Sequence, residues 1–343
     1  MNNKALARAQ RIHWLDICRG IGILLVIYGH FLSADSYRYV IYAFHMPLFF
    51  FLSGVAYHHK KYSSLLLFLK KNVRNIIIPY LLFAVLTYVF WILVQKNPDY
   101  SDHEIVRQLK GIFYGNSAEK YLGFNVALWF LPCLFLTKVI FAALTKLSLN
   151  KKYIFFSLLS LSVLGYALSA FFPAVKMILG AETAITATVF FGAGFLWNQS
   201  DRANKVIQKY STAIALVCIG LTIVFAVANY NIHGTQVDMR LNRLNNYFLF
   251  YAGSLSGIIG SIAISKIIKR NNLVEYIGKH SLILLVWHYI VYLYLSRILY
   301  MFFTPSATNF TKLLFPIIYT VFSVATILSI DLMVNKLKAN PKK

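Results

Sequence analysis

The segment Arg11–His30, with the sequence RIHWLDICRGIGILLVIYGH, predicts the first membrane-spanning helix of the chain. Its second half is almost wholly apolar, as a helix in hydrocarbon must be. The same helix nevertheless carries Asp16, Arg19 and His30. Ionisable side chains are costly inside a membrane, so their presence indicates a buried partner or a function.

Arg19 and His30 are eleven positions apart on this helix. At about 100° per residue, eleven steps amount to roughly three full turns plus about 20°, so both side chains project from one face. Their Cα atoms are separated by roughly 16 Å along the helix axis, about half of the hydrocarbon core. One face therefore carries a permanent cation at one depth and a titratable imidazole at another, which a purely structural helix does not require.

The composition extends this interpretation to the whole chain. Of 343 residues, 59% are hydrophobic and only 13% are charged, whereas soluble domains contain about 25% charged residues. Apolar windows of about 20 residues, each long enough to cross a bilayer, recur along the sequence. We expect one all-α integral membrane domain over residues 1–343, with a core of about 11–334 and about ten transmembrane helices. The expected spans are 14–33, 40–57, 76–95, 123–144, 154–172, 183–198, 211–229, 247–265, 280–303 and 313–334.

The charge distribution predicts how the chain is oriented. A formal net charge of +23 suggests a nucleic-acid partner in a soluble protein, but here most of the 34 basic residues fall in alternate loops between the spans. The positive-inside rule explains this bias without any nucleic acid. An even number of spans places both termini on the basic side, so we expect both termini to be cytoplasmic.

No metal and no permanently bound cofactor is expected. The three cysteines lie in apolar runs and form no CxxC pair, which favours small buried side chains over a disulfide or a zinc site. The sequence contains no GxGxxG, Walker or HExxH motif either.

Several motifs resemble membrane acyltransferase family 3. The Arg-x10-His pattern of the first span is followed by FHMPLFFFLSG at Phe44–Gly54, and the two together are specific to that family. LWFLPCLF at Leu128–Phe135 and IGKHSLILLVWHYIV at Ile277–Val291 are similar to later segments of the family. DMRLNRLNNYFLFYAGSLSG at Asp238–Gly257 resembles the branch that includes fucose 4-O-acetylase-like and polysaccharide intercellular adhesin-type proteins. The likeness covers nearly the whole chain.

This resemblance implies an enzyme that moves an acyl group, expected to be acetyl, onto a hydroxyl of a cell-surface or lipid-linked sugar. It implies acetyl-coenzyme A as the donor substrate and a multi-pass location in the cell membrane. The expected partners are membrane lipids, acetyl-coenzyme A and a carbohydrate or lipid-linked glycan acceptor.

The chemistry of acyl transfer assigns roles to the two charged residues on the first helix. A base must take the hydroxyl proton, and histidine suits that role near neutral pH. Positive charge is needed where the thioester oxygen gains charge or where the donor phosphates dock. We therefore predict His30 and Arg19 as catalytic residues, with Arg19 also binding the donor. The donor is expected to thread through the membrane, with its nucleotide inside and its acyl end at His30.

The basic segment before the third span adds two candidates for donor binding, Lys71 and Arg74. Arg74, which precedes IIIPY, matches a basic position of the family, and Lys71 stands where the family more commonly has arginine. A lysine cannot make the bidentate contact of an arginine. Binding of anionic lipid by this segment is the alternative.

Three residues are predicted to bind the acceptor. His45 begins the second span at about the depth of His30, so the two are expected to approach each other, unless His45 only reaches towards water at the interface. Trp129 offers an aromatic platform, with packing in the core as the alternative. Asn246 ends a polar loop of asparagine, aspartate and arginine residues that suits a sugar or is simply solvated. Further candidates are Asp16, Ser53 and His288.

Two other classes of protein fit the same spans. A transporter or flippase for a glycan or glycolipid also needs intramembrane charges. An export partner of a polysaccharide synthase is a further alternative, since this branch of the family has members placed in export.

Overall fold

Helices make up the regular structure of the described part of the chain, and the only β pairing found there is an isolated bridge. The all-α fold expected from the sequence is confirmed. The expectation that both termini are cytoplasmic concerns residues 1–12 and 340–343, which lie outside the described residues. The computed structural model describes residues 13–32, 37–58, 64–95, 101–117, 121–302 and 309–339.

The α-helices are numbered here in chain order, and short 3-10 and π-helical turns are named where they matter. The α-helices of the described residues are α1 His13–Phe31, α2 Arg38–Tyr42, α3 His45–Val55, α4 Leu65–Asn72, α5 Ile78–Phe90, α6 Asp102–Tyr114, α7 Phe130–Leu147, α8 Lys151–Phe171, α9 Ala181–Asn198, α10 Asp201–Lys209, α11 Ser211–His233, α12 Tyr247–Ile268, α13 Asn272–Lys279, α14 Ser281–Phe302 and α15 Asn309–Ala339.

Nine helical stretches among the described residues are long and apolar enough to cross a membrane. They coincide with nine of the ten expected spans, and α14, whose apolar part is Ser281–Leu295, occupies the remaining one. Large apolar side chains on these helices are exposed, for example Leu216 and Val217 in α11. Soluble proteins rarely expose continuous apolar faces of this kind. The chain is therefore a multi-pass membrane protein.

The third span begins earlier than expected. The sequence predicts a span over 76–95, whereas one continuous helix covers Leu65–Val94 and includes the π-helical turn Val73–Ile77. Thirty helical residues extend roughly 45 Å, which exceeds a hydrocarbon core of roughly 30 Å. The apolar LLLFL sequence that opens α4 allows the helix to start early, and the basic residues that follow stand on a helix rather than in a loop.

The central helix of the bundle is α1, which packs against α3, α12, α13, α14 and α15. Two glycines allow α13 to lie directly on the start of α1. A side chain at Gly20 would collide with the carbonyl of Val274, and a side chain at Gly278 would collide with the carbonyl of Asp16. This close contact fixes the depth at which the charged residues of α1 lie.

The two ends of the bundle carry different candidate functional residues. The His30 end contains the last turn of α1, the first turns of α2 and α7, and the loop 234–246 between α11 and α12. The Arg19 end is the opposite one, where α13 covers the start of α1.

Candidate active site

A cavity of about 430 Å³ lies at the His30 end, enclosed by α1, α2, α3, α14 and the loop 234–246. Three residues predicted from the sequence line it, namely His30, His45 and Trp129. The expected approach of His30 and His45 is thereby confirmed. The other polar lining residues include Arg38, Tyr42, Gln236, Asp238, Arg240 and Arg243.

His30 lies one residue before the end of α1, so its ring reaches the cavity at the edge of the helix. The centre of its ring is 5.0 Å from that of His288, 6.1 Å from that of Tyr289 and 6.4 Å from that of Tyr42. No group in the described part of the chain forms a hydrogen bond with its ring nitrogens. The imidazole is therefore available to a molecule that enters the cavity.

His45 is held in one tautomer by the backbone. Its Nδ1 donates a hydrogen bond of 2.8 Å to the carbonyl oxygen of Ile41, one turn earlier. A carbonyl can only accept, so the proton of the neutral ring sits on Nδ1 and Nε2 is left as an acceptor. The second imidazole of the cavity is thus fixed in orientation and offers a lone pair.

His288 has the same backbone anchor but lies behind the cavity wall. Its Nδ1 donates to the carbonyl oxygen of Leu285 at 2.7 Å, and the carbonyl oxygen of Leu284 is 3.1 Å away. The side chain is fully buried, and its Nε2 has no hydrogen-bond partner in the described part of the chain. A buried acceptor without a partner is costly, and the His30 ring is its neighbour on the cavity side.

The loop 234–246 closes the cavity and is folded by its own hydrogen bonds. Asp238 and Arg243 exchange two backbone hydrogen bonds of 2.9 Å each, which form the isolated bridge. Arg240 pairs with the Asp238 carboxylate at 3.3 Å and also donates to the carbonyl oxygen of Ser117 at 3.2 Å. Thr183 in α9 holds the loop at its centre by donating to the Met239 carbonyl at 2.9 Å. These contacts place three charged side chains at the cavity.

Arg38 adds a further cation from the first turn of α2. Its Nε donates to the side-chain oxygen of Gln236 at 3.0 Å, and its guanidinium stands 5.3 Å over the Tyr42 ring. The first contact joins α2 to the loop 234–246 across the cavity mouth.

Trp129 forms part of the cavity wall, and further aromatic rings pack behind it. The centre of the Trp129 ring is 6.4 Å from that of Phe50 and 6.3 Å from that of Phe130, and Phe130 also contacts Phe49 at 6.0 Å. Trp129 is 8% exposed and still lines the cavity. It therefore packs in the core with one side and faces the cavity with the other.

Arg19 lies at the opposite end and not in the cavity. Its guanidinium is 3.5 Å from the Asp16 carboxylate, one turn earlier in α1. Lys138 in α7 is within electrostatic range of Arg19 and donates to the side-chain oxygen of Asn72 in α4 at 3.3 Å. Lys71 and Arg74 stand beside Asn72 on the third span, with both side chains exposed. The basic residues predicted to bind the donor thus belong to the same end of the bundle.

A cluster of ion pairs locks α13 to α1 near these residues. His13 and Glu275 are 2.9 Å apart, and Lys279 is 4.0 Å from the same carboxylate. The hydrogen bond from His13, together with the charge of Lys279, holds the pKa of the Glu275 carboxyl below its usual value. This carboxylate is therefore ionised at neutral pH and helps to hold α13 against α1.

Asn246 and Ser53 lie outside the cavity. The Asn246 side chain caps α12 by accepting from the backbone N–H of Leu249 at 3.1 Å, and the backbone N–H of Asn246 donates to the side-chain oxygen of Asn229 at 3.1 Å. The hydroxyl of Ser53 donates to the carbonyl oxygen of Phe49 at 2.8 Å, within α3. Both side chains make local structural contacts, and their predicted roles stay predictions.

Sequence reasoning did not single out Arg38, Gln236 or Lys138 as site residues. Arg38 and Gln236 are 198 positions apart, and nothing local in either segment indicates that they meet. Lys138 did carry a signal, because a lysine within an apolar span is unusual. Its partner Asn72 could not be foreseen from the spacing.

The described chain defines a class, an all-α multi-pass membrane protein with a histidine- and arginine-lined cavity at one end of its bundle. A comparison with protein families identifies the family. Residues 12–334 match the model of the acyltransferase domain of acyltransferase family 3, and the chain belongs to that family. Its members are acyltransferases, so this protein is a membrane acyltransferase. No curated protein and no solved structure matches the chain.

Proposed function

We propose that this protein is an O-acyltransferase that moves an acetyl group from acetyl-coenzyme A to a hydroxyl of a cell-surface or lipid-linked sugar. The observation that carries the proposal is the cavity at the His30 end. It presents an imidazole that forms no hydrogen bond with the described residues, beside a set of arginine, aspartate, glutamine and tyrosine side chains. A sugar needs such a dense array of donors and acceptors, and acyl transfer needs the imidazole.

His30 acts as the general base in this proposal. The sugar hydroxyl gives its proton to a ring nitrogen of His30 while its oxygen attacks the thioester carbonyl carbon. The tetrahedral intermediate collapses as the carbon–sulfur bond breaks, and the departing thiolate takes the proton from the imidazolium. The products are the sugar ester and the free thiol of coenzyme A, with His30 neutral again.

His288 positions His30. The Nε2 of His288 is an acceptor because its Nδ1 donates to the backbone, and the described residues give it no hydrogen-bond donor. A small rotation of the His30 ring, 5.0 Å away between centroids, allows one nitrogen of His30 to donate to it. The other nitrogen of His30 then carries the lone pair and points at the acceptor. Catalytic hydrogen bonds commonly shorten when substrate is bound.

The donor enters from the Arg19 end. Arg19, Lys71, Arg74 and Lys138 supply positive charge for its phosphates, and the positive-inside rule makes this end cytoplasmic, where acetyl-coenzyme A is available. The pantetheine arm follows the face of α1 from Arg19 to His30. Gly22 lies beside that face, one turn from Arg19, and its missing side chain allows Phe49 and Leu48 to pack directly against α1.

The proposal is tested with the purified protein in detergent. Release of free thiol from acetyl-coenzyme A is measured with and without added sugar acceptors. We expect acceptor-dependent release. Thiol release that is the same with and without every sugar tested would contradict the proposal. It would indicate that the protein acylates an acceptor of another kind.

A further inference from the structure

The charged groups that line the cavity are not balanced. Among the described lining residues there are three arginines, Arg38, Arg240 and Arg243, and one carboxylate, that of Asp238. The Asp238 carboxylate is 3.3 Å from Arg240, so that pair is matched. The acids Asp35 and Glu119 lie outside the described residues. Two guanidinium groups remain without a carboxylate among the described residues.

Arg243 is the more exceptional of these two. Its Nε is buried and has no hydrogen-bond partner among the described residues. Its backbone is fixed by the two 2.9 Å hydrogen bonds with Asp238, so the side chain departs from a rigid loop. A buried donor of a charged group without an acceptor costs more than a neutral one. An acceptor supplied by a ligand removes that cost.

Among the described residues, the contacts of the Arg38 guanidinium are to neutral groups. The side-chain oxygen of Gln236 at 3.0 Å and the carbonyl oxygen of Leu32 at 3.4 Å take two of its N–H groups, and the face of Tyr42 lies beneath it. These contacts orient the guanidinium but do not neutralise it. A guanidinium carries five N–H donors, so Arg38, which lines the cavity, has further N–H groups to offer a ligand.

We infer that the acceptor sugar carries an anionic group, a carboxylate or a phosphate, which Arg243 and Arg38 bind while a hydroxyl of the same molecule faces His30. This inference rests on the proposed function. A planar guanidinium matches the geometry of both anions through two parallel hydrogen bonds. Partial exclusion of water from the cavity strengthens the attraction relative to that at an open surface.

Binding of small probes to the purified wild-type protein tests the inference without turnover. The probes are methyl glucuronide, methyl glucoside and glucose 6-phosphate, and the readout is the rise in thermal unfolding temperature with ligand concentration. A lost charge-assisted contact corresponds to about 10- to 100-fold in Kd, so we expect one or both anionic probes to bind at least about tenfold more tightly than methyl glucoside. The comparison of glucuronide with phosphate identifies which anion the cavity takes.

Two variants and one control complete the experiment. Arg243→Gln should abolish the preference for the anionic probe, and Arg243→Lys should restore part of it. Arg38→Gln serves as a second test if Arg243→Gln does not fold. Arg202→Gln, at an exposed position on α10, should leave the preference unchanged.

The possible results separate the two proposals. Equal binding of neutral and anionic probes, or no binding of either, overturns the inference, and so does an Arg243→Gln protein that keeps the preference. In those cases the free-thiol assay with His30→Gln still decides the proposed function. A loss of turnover in Arg243→Gln that leaves the binding preference intact would place Arg243 at the reacting carbonyl and would also overturn the inference.

Discussion

The His30 end and the Arg19 end of the bundle differ in how rigidly they hold their polar side chains. At the His30 end, side chains from distant segments enclose one cavity, and a loop pinned by side-chain and backbone hydrogen bonds fixes their directions. At the Arg19 end, the basic residues Lys71 and Arg74 stand exposed on a helix. A sugar hydroxyl must be held at one angle to be acylated, whereas phosphates need mainly charge. The rigid end therefore suits the acceptor and the open end suits the donor.

The largest expected effect is at the His30 end. His30→Ala should lower the turnover number by roughly 10²- to 10⁴-fold, the usual contribution of a positioned base, while the affinity for acetyl-coenzyme A at the other end stays unchanged. His30→Gln should fold normally and remain inactive. The rate of the wild type should rise with pH and level off once the imidazole is neutral. Steady-state kinetics measure these quantities, with His103→Gln, exposed on α6, as the matched control.

The second-largest effect is expected at Gly22, which lies between the two ends of the bundle. A Cβ at Gly22 would be 3.2 Å from the Phe49 ring, so Gly22→Leu should displace Phe49 and disturb the path that we propose for the donor from Arg19 to His30. Because an error of about 1 Å in position can cost roughly 10²-fold in rate, we expect a loss of that order. The double variant Gly22→Leu/Phe49→Ala should recover activity.

Gly220→Leu is the matched control for this change. Gly220 is exposed on α11, and a Cβ there would meet no atom of the described residues within 4 Å. If Gly22→Leu is fully active, the donor does not follow this face of α1.

A smaller effect is expected at the Arg19 end. Arg19→Lys keeps the charge but loses the planar fork, so the KM for acetyl-coenzyme A should rise about 10- to 100-fold with little change in turnover number. Lys71→Arg should have the opposite effect and lower that KM. Unchanged kinetics in Arg19→Lys would assign Arg19 to its ion pair with Asp16 alone.

The smallest effect is expected at His288. His288→Leu removes the side-chain acceptor that we propose for His30, which should lower the turnover number about fivefold, as the loss of one hydrogen bond of about 1 kcal/mol allows. The KM values for donor and acceptor should stay the same. A change in KM without a change in turnover number would show that His288 shapes the cavity and does not orient the base.

Much of the fold follows from the sequence because apolar windows report transmembrane helices directly. The sequence also predicts that His30 and His45 lie at a similar depth. In the structure His30 lies near the end of α1 and His45 at the start of α3, two helix ends that the apolar windows locate. The predicted start of the third span was wrong by about ten residues, because LLLFL is apolar enough to extend the helix towards the N-terminus.

The polar part of the site was harder to predict. The contact between Arg38 and Gln236 joins segments far apart in the chain, and the bridge between Asp238 and Arg243 folds an irregular loop. Neither leaves a periodic pattern in the sequence. The composition of the loop indicated hydrogen-bonding capacity but could not show that Arg243 faces a cavity while Asn246 caps a helix.

The most direct test of the account is mass spectrometry of surface glycans from cells with the wild-type protein, with His30→Gln and without the protein. We expect glycans of the wild type to be heavier by one acetyl group per modified sugar, and glycans of the other two strains to lack that group while still reaching the surface. Loss of the glycan from the surface in the absence of the protein would instead indicate a transporter or an export partner. Acetylated glycan in the His30→Gln strain would contradict the assignment of His30 as the base.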